Sequence, residues 1–210
     1  MSVSTSSLFF AILSLVALAG ALGLTALLVA DRAGSAGAAR LRVDLSVVGL
    51  PVAWIVATVT TLGSLYYSEI AHFTPCKLCW YQRIAMYPLV LLLGIAAWRR
   101  DRNVRLYVIA QCAVGAVISV YHSYIQAFPP DNGTSFCTLD APCTERYVWE
   151  FGFVSIPFMA FTAFVFIITL MLVARPAPSL DPHDPLDPHD PHDLLDDAEP
   201  VDDPAPGALA

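Results

Sequence analysis

Five apolar runs alternate with short polar stretches along the chain. Ser7 to Ala30 is the first. Its length meets the ~20 residues of a bilayer-spanning helix. Leu45 to about Tyr66 is the second, Trp80 to Trp98 the third, Val104 to about Ile125 the fourth, and about Phe153 to Ala174 the fifth. The third run contains Pro88, which membrane helices tolerate better than soluble ones. Pro157 falls in the first turn of the fifth, where a missing N–H is harmless. The pattern predicts an all-α integral membrane protein. The first run has no Lys or Arg before it and exceeds the ~7–15 apolar residues of a signal peptide, so it is expected to be a retained helix.

The polar stretches set the expected orientation. Arg32, Arg40 and Arg42 lie in the Gly/Ala-rich linker before the second run. Arg99, Arg100, Arg102 and Arg105 fill the turn after the third, and Arg175 follows the fifth. The opposite faces hold only Lys77, Arg83 and Arg146. Basic residues mark the cytoplasmic side, so the N-terminus and the loops on either side of the third and fourth runs' outer ends belong outside. Tyr147 to Ile156 is aromatic and amphipathic, as expected of a segment lying along the interface.

Composition agrees: 57 % of the 210 residues are hydrophobic and 14 % charged. The net charge of −7 belongs to the tail. Residues 176–210 hold ten Asp and Glu and no Lys or Arg. This acidic tail repeats Asp-Pro-His and reads as a disordered cytoplasmic segment, its His183, His189 and His192 being solvated rather than ligating. Nothing suggests nucleic-acid binding; the partners implied are lipid and the groups that meet the cysteines.

Those cysteines are the chemistry. Cys76 and Cys79 form a Cys-X-X-Cys pair at the mouth of the third run, and Cys137 and Cys143 lie in the loop before the fifth. The orientation puts all four on the outer, oxidising side. The fifth, Cys112, falls mid-helix and reads as a small core residue. Trp80 follows Cys79 where a c-type haem attachment requires His. Arg83 lies one turn beyond Cys79, and a charge inside a span costs roughly 2.5–3.5 kcal/mol at the bilayer centre. It therefore needs a reason to be there, although snorkelling to the interface is a simpler one. Two accessible pairs suit thiol–disulfide relay, which proceeds by thiolate attack through mixed disulfides. A membrane-edge pair can reach a lipid-soluble oxidant, and a quinone in the bilayer is the natural candidate. Arg83 can stabilise both a Cys79 thiolate and charge developing on a quinone oxygen. The competing readings are two structural disulfides, or a zinc site built from the four cysteines.

The residues also carry a resemblance. Ser68-Glu69-Ile70, then Pro75-Cys76-Lys77-Leu78-Cys79-Trp80-Tyr81-Gln82-Arg83-Ile84 and Met86-Tyr87-Pro88, resemble the signature of the bacterial disulfide bond formation protein B family. Cys137-Thr-Leu-Asp-Ala-Pro-Cys143, with Phe151-Gly152-Phe153 and Ile156-Pro157-Phe158, resembles its short-spaced, BdbC-like branch. The resemblance covers roughly residues 45 to 174. It implies an antiparallel four-helix transmembrane bundle at 43–175. One extra N-terminal helix and its basic linker occupy 1–42, and the tail 176–210. It implies a multi-pass protein of the bacterial cytoplasmic membrane that reoxidises a DsbA/BdbD-like thioredoxin-fold thiol oxidase. Ubiquinone or menaquinone would be the final acceptor. By this resemblance Cys137 forms the mixed disulfide with the partner and Cys143 resolves it. Cys76 exchanges with the loop pair, Cys79 is the quinone-proximal thiolate, Arg83 holds the quinone, and His122 lies near the quinone head group. A vitamin K epoxide reductase-like enzyme also couples loop cysteines to a quinone. There the Cys-X-X-Cys follows the loop pair, whereas here it precedes it.

Overall fold

The computed structural model describes residues 3–129, 137 and 142–174. Most of the turn expected at 129–133, Arg175 and the acidic tail lie outside these residues. Five helices follow in order: α1 (Val3–Arg32), α2 (Ala36–Leu65), α3 (Lys77–Arg99), α4 (Arg105–Ala127) and α5 (Ile156–Val173). All five are long and apolar enough to cross a membrane, and the described residues contain no β-strand.

The linker expected before the second span is itself almost entirely helical. Alanine, leucine and arginine are strong helix formers, and they extend α2 back to Ala36. The reversal needs only Ala33, Gly34 and Ser35. Gly34 takes φ +87°, which costs glycine nothing, and the Ser35 hydroxyl accepts from Ala38 N–H as the N-cap of α2. The aromatic segment before α5, expected along the interface, is not helical. An isolated bridge between Glu150 and Val154 folds it into a tight loop, with Phe151 and Gly152 at positive φ. Its Trp149, Phe151 and Phe153 remain exposed.

Helices α2, α3, α4 and α5 pack in a ring, each against the next, and α5 closes on α2. α1 lies outside the ring, mostly on α5 and partly on α2. The ring is filled by Leu89 and Leu93 of α3, Val108 and Cys112 of α4, and Phe164, Ile167 and Met171 of α5, all fully buried. With lipid as apolar as leucine, packing rather than hydrophobicity drives helices together, and small residues let them approach. Gly115 of α4 is the tightest such place. A Cβ there would run into the Phe164 ring. Gly115→Ala is therefore expected to destabilise the bundle by about 1–3 kcal/mol. The check is its unfolding midpoint in detergent against that of wild type.

The two ends of the bundle differ chemically. At one end Arg42 pairs with Asp31 at 2.6 Å and donates to the carbonyls of Leu172 (3.1 Å) and Val173 (3.4 Å). Arg105 donates to Ala174 O at 3.1 Å. These arginines satisfy carbonyls that the end of α5 leaves without intrahelical donors. The cysteine pairs occupy the other end.

Candidate active site

Cys76 is the N-cap of α3. Pro75 precedes it, its φ and ψ are extended, and its Sγ accepts from the Cys79 N–H at 3.4 Å. The Cys-X-X-Cys spacing places Cys79 one turn into the helix, and the two sulfurs share a hydrogen bond at 3.2 Å. Cys76 is buried and Cys79 partly so. Opposite them, Cys137 and Cys143 are joined in a disulfide. Cys143 is buried against Cys76, Leu78 and Ile125, with Cys137 packed on the same cluster. The structure thus holds a dithiol and a disulfide in one cluster at one end of the bundle.

His122 joins the two pairs. Its Nε2 lies 3.1 Å from the Cys143 carbonyl oxygen and 3.7 Å from Cys76 Sγ. A carbonyl only accepts, so the proton is on Nε2. That N–H ties the loop disulfide to α4 and faces the Cys76 sulfur. Nδ1 is buried without a partner among the described residues. His122 lines a small cleft with Cys76, Cys79 and Gln126. It is not part of the larger cavity described below. Gln126 secures the same loop by donating to Glu145 O at 2.9 Å. Arg146 returns a bond to Gln126 O and stacks on Trp149 at 4.2 Å.

The hydrogen bonds favour the anion on Cys76. The Cys79 thiol is the largest influence drawing the Cys76 thiol below its ordinary range. Burial opposes it, and His122 adds to it. The resemblance had placed the thiolate on Cys79, next to Arg83. Here the first-turn amide of α3 and the imidazole N–H both serve Cys76 instead. A lowered folded-state pKa keeps the thiolate populated at neutral pH. It is lost only as pH falls through that lowered value. Alkylation of Cys76 by a small permeant reagent is accordingly expected to stay flat between about pH 8 and about pH 6. An unperturbed thiol near pKa ~8.5 loses roughly tenfold per pH unit there. A profile that falls in that way would remove the low-pKa thiolate.

Arg83 is housed by α2. Its Nε donates to Ser64 Oγ at 2.9 Å and its Nη2 to Ser64 O at 2.8 Å. Its guanidinium lies 5.3 Å from the Trp80 ring centroid and 6.0 Å from that of Tyr87. Tyr87 Oη bonds Ser64 Oγ as well, at 3.2 Å. Immediately after Ser64 and Leu65, α2 ends in a π-helical turn, Tyr66–Ile70, where backbone bonding shifts from i+4 to i+5. Such turns are frequent at functional sites. Here it coincides with a carbonyl that a side chain from another helix takes up. The other terminal nitrogen, Nη1, has no protein partner among the described residues.

Beside Arg83 and Cys79 opens a cavity of about 330 Å³. Its lining is overwhelmingly apolar, with Cys79, Gln82, Arg83 and Tyr87 of α3 along one wall. Gln82 is held by a bond to Ser119 Oγ at 3.1 Å. Tyr67, Phe73 and Tyr147 also line it, and their rings stack in series, Tyr67 on Phe73 at 5.7 Å and Phe73 on Tyr147 at 4.7 Å. Tyr67 Oη is buried and approaches Ser7 of α1, yet it completes no hydrogen bond of good geometry. Of the two mouth cysteines, Cys79 faces both this cavity and the small cleft, while Cys76 faces only the cleft.

Sequence reasoning had put the four cysteines, Arg83 and His122 at the site, and all six lie at this end of the bundle. It missed Ser64, Tyr87 and Gln82. No spacing in the sequence links Ser64 to Arg83, and only the packing of α2 on α3 joins them. The four-cysteine zinc site is not assembled, because Cys137 and Cys143 are bonded to each other. Cys76, Cys79 and His122 do offer three soft donors within 4.8 Å.

A membrane bundle that presents a dithiol to a disulfide packed in the same cluster is a membrane disulfide oxidoreductase. The profile of the family described as disulfide bond formation protein DsbB matches residues 48–174, and the chain belongs to that family. It is 47 % identical to disulfide bond formation protein C of Bacillus subtilis (strain 168) over 129 residues. That is 61 % of this chain and 94 % of the relative. A probable disulfide formation protein C of Halalkalibacterium halodurans is 49 % identical over 122 residues, 57 % of this chain and 89 % of the relative. No solved structure matches the chain.

Proposed function

We propose that this protein reoxidises an extracytoplasmic thioredoxin-fold thiol oxidase of the DsbA/BdbD-like class. Two electrons and two protons per cycle pass through its two cysteine pairs to ubiquinone or menaquinone. The observation that carries the reading is the apolar cavity. It reaches Cys79 and Arg83 from within the bilayer-spanning part of the bundle, so one cysteine pair is open to a lipid-soluble acceptor.

The relay balances as follows. A reduced partner attacks Cys137, opening the Cys137–Cys143 disulfide and releasing the Cys143 thiolate. Cys143 attacks Cys76 of an oxidised Cys76–Cys79 pair, freeing Cys79 on the cavity side. The partner's second thiol displaces Cys137, and the partner leaves as a disulfide. Cys137 then attacks Cys143, restoring the loop disulfide and releasing Cys76. The result is a loop disulfide facing a mouth dithiol, the arrangement seen here. His122 ties the loop to α4 beside Cys76 and supplies an N–H to the Cys76 anion. Bound quinone would supply a two-electron, two-proton sink that returns Cys76 and Cys79 to the disulfide. Arg83 would orient it and meet negative charge arising at its oxygen. The basic end, with Arg42 and Arg105, faces the cytoplasm by the positive-inside rule. The cysteine end then faces outward.

Acid-quenched thiol alkylation in native membranes tests this, with respiratory quinone present and then depleted. The mouth cysteines are expected to be oxidised with quinone and to accumulate as thiols without it. A thiol state indifferent to quinone, together with stoichiometric zinc in the purified protein, would favour metal binding by Cys76, Cys79 and His122 instead.

A further inference from the structure

The wall of the large cavity is not confined to the residues that match the family. α1 lies outside that match and contributes Phe10, Leu13, Ser14, Val16 and Ala17 to the lining. Two ring-on-glycine contacts seat it. The Phe10 ring lies on Gly63 of α2, where a Cβ would stand 2.9 Å from Cε1. The ring of Phe166 of α5 lies on Gly20, where a Cβ would stand 2.9 Å from Cε2. Phe10 also packs against Tyr67 at 5.7 Å, beside the Ser64 that holds Arg83.

The lining residues differ in exposure along the cavity. Ser14 is buried, its hydroxyl donating to Ala11 O at 2.7 Å. Val16 is 62 % exposed and Ile55 of α2 53 % exposed, although both line the cavity. A residue that lines a cavity and is also open to the outside marks its rim. Val16 lies six residues beyond Phe10, ~9 Å along the helix axis, and Ile55 eight residues before Gly63, ~12 Å. Both helices thus reach the same rim, roughly 10 Å deeper than the Arg83 level. The rim falls within two membrane-spanning helices, so what lies outside it is lipid tails.

We propose that α1 and α2 frame a lateral portal, with Val16 and Ile55 at its rim, through which the isoprenoid tail of the quinone leaves the cavity for the bilayer. This rests on the quinone reading above and goes beyond it. The polar head belongs with Cys79 and Arg83, and the apolar depth between α1, α2 and α5 grips the tail. The extra helix turns an open groove of the four-helix ring into a walled channel, and makes this protein discriminate quinones by tail.

The test compares wild type with the Val16→Trp/Ile55→Trp double variant of the full chain. Three quantities are measured: quinone extracted from the purified protein, KM for a long-tailed quinone, and KM for an analogue with one isoprene unit or none. Co-purified quinone is expected to fall, and KM for the long-tailed quinone to rise on the order of tenfold. KM for the short analogue and partner-dependent reduction of Cys137–Cys143 should be unchanged. Equal effects on both quinones, or none on either, would overturn the portal. If the double variant does not fold, Val16→Cys replaces it. Its labelling by a permeant maleimide is expected to be blocked by the long-tailed quinone and not by the short one, and equal labelling overturns the proposal. A wild-type protein that neither retains nor reduces any quinone would sink the quinone reading, and the portal with it.

Discussion

Cys79→Ser is expected to abolish electron delivery to quinone, by at least about three orders of magnitude, while leaving the protein folded. The sulfur it removes is the one that faces the large cavity. Serine is near in size, and Cys79 is not part of the buried core. The variant should also trap an intermediate. Cys76 keeps its N-cap amide and His122, so it can still attack Cys143 of the loop disulfide and release Cys137. With Cys79 gone only Cys137 can reopen the Cys76–Cys143 disulfide, and alkylating the released Cys137 thiol locks that bond in. Peptide mapping under non-reducing conditions should find that bond in Cys79→Ser and not in Cys76→Ser. Loss of turnover without the trapped bond would mean that the two pairs do not exchange through Cys76. Residual quinone reduction in Cys79→Ser would put the acceptor elsewhere.

Much of this site was legible in the sequence because its parts sit on strong local signals. Cys76 and Cys79 are separated by one helical turn behind a proline, which fixes an N-cap. The arginines around Asp31–Arg42 and Arg99–Arg105 set the helix ends so firmly that both cysteine pairs fell on one side. The length of α1 was plain for the same reason. What the sequence did not carry were relations between helices. Nothing in residues 31–42 announced that the reversal between α1 and α2 would take only Ala33, Gly34 and Ser35. The place of His122 was half readable, because its depth along α4 was legible while its rotation was not. Depth put it near the membrane surface, and rotation turned it to the loop disulfide rather than the cavity. The assignment of the thiolate depended on hydrogen bonds from a backbone amide and an imidazole, which spacing does not reveal. Likewise a helix outside the family pattern looked detached from the chemistry. Only its packing on α2 and α5, through Gly63 and Gly20, brings it to the cavity.

Arg83→Ala is expected to weaken quinone binding by roughly one to two orders of magnitude. The figure follows from losing a charge-assisted hydrogen bond, ~1.5–3 kcal/mol, at the free Nη1. The exchange between Cys137–Cys143 and the mouth pair should be unaffected, since the thiolate of Cys76 draws on the α3 amide and His122. The two effects therefore separate: KM for quinone rises while single-turnover reduction of the loop disulfide keeps its rate. Arg83→Lys divides the arginine's contribution further. Lysine keeps a charge, but as a compact point it cannot grip Ser64 through two nitrogens and still present a third. Its KM should fall between those of wild type and Arg83→Ala. Ser64→Ala removes one of the arginine's holders without touching the charge and should cost less than either. If Arg83 merely reaches for the interface, all three variants keep the wild-type KM and differ only in stability. An ordering of wild type, Ser64→Ala, Arg83→Lys and Arg83→Ala by rising KM, with loop exchange constant, is what a positioned charge at the cavity wall requires.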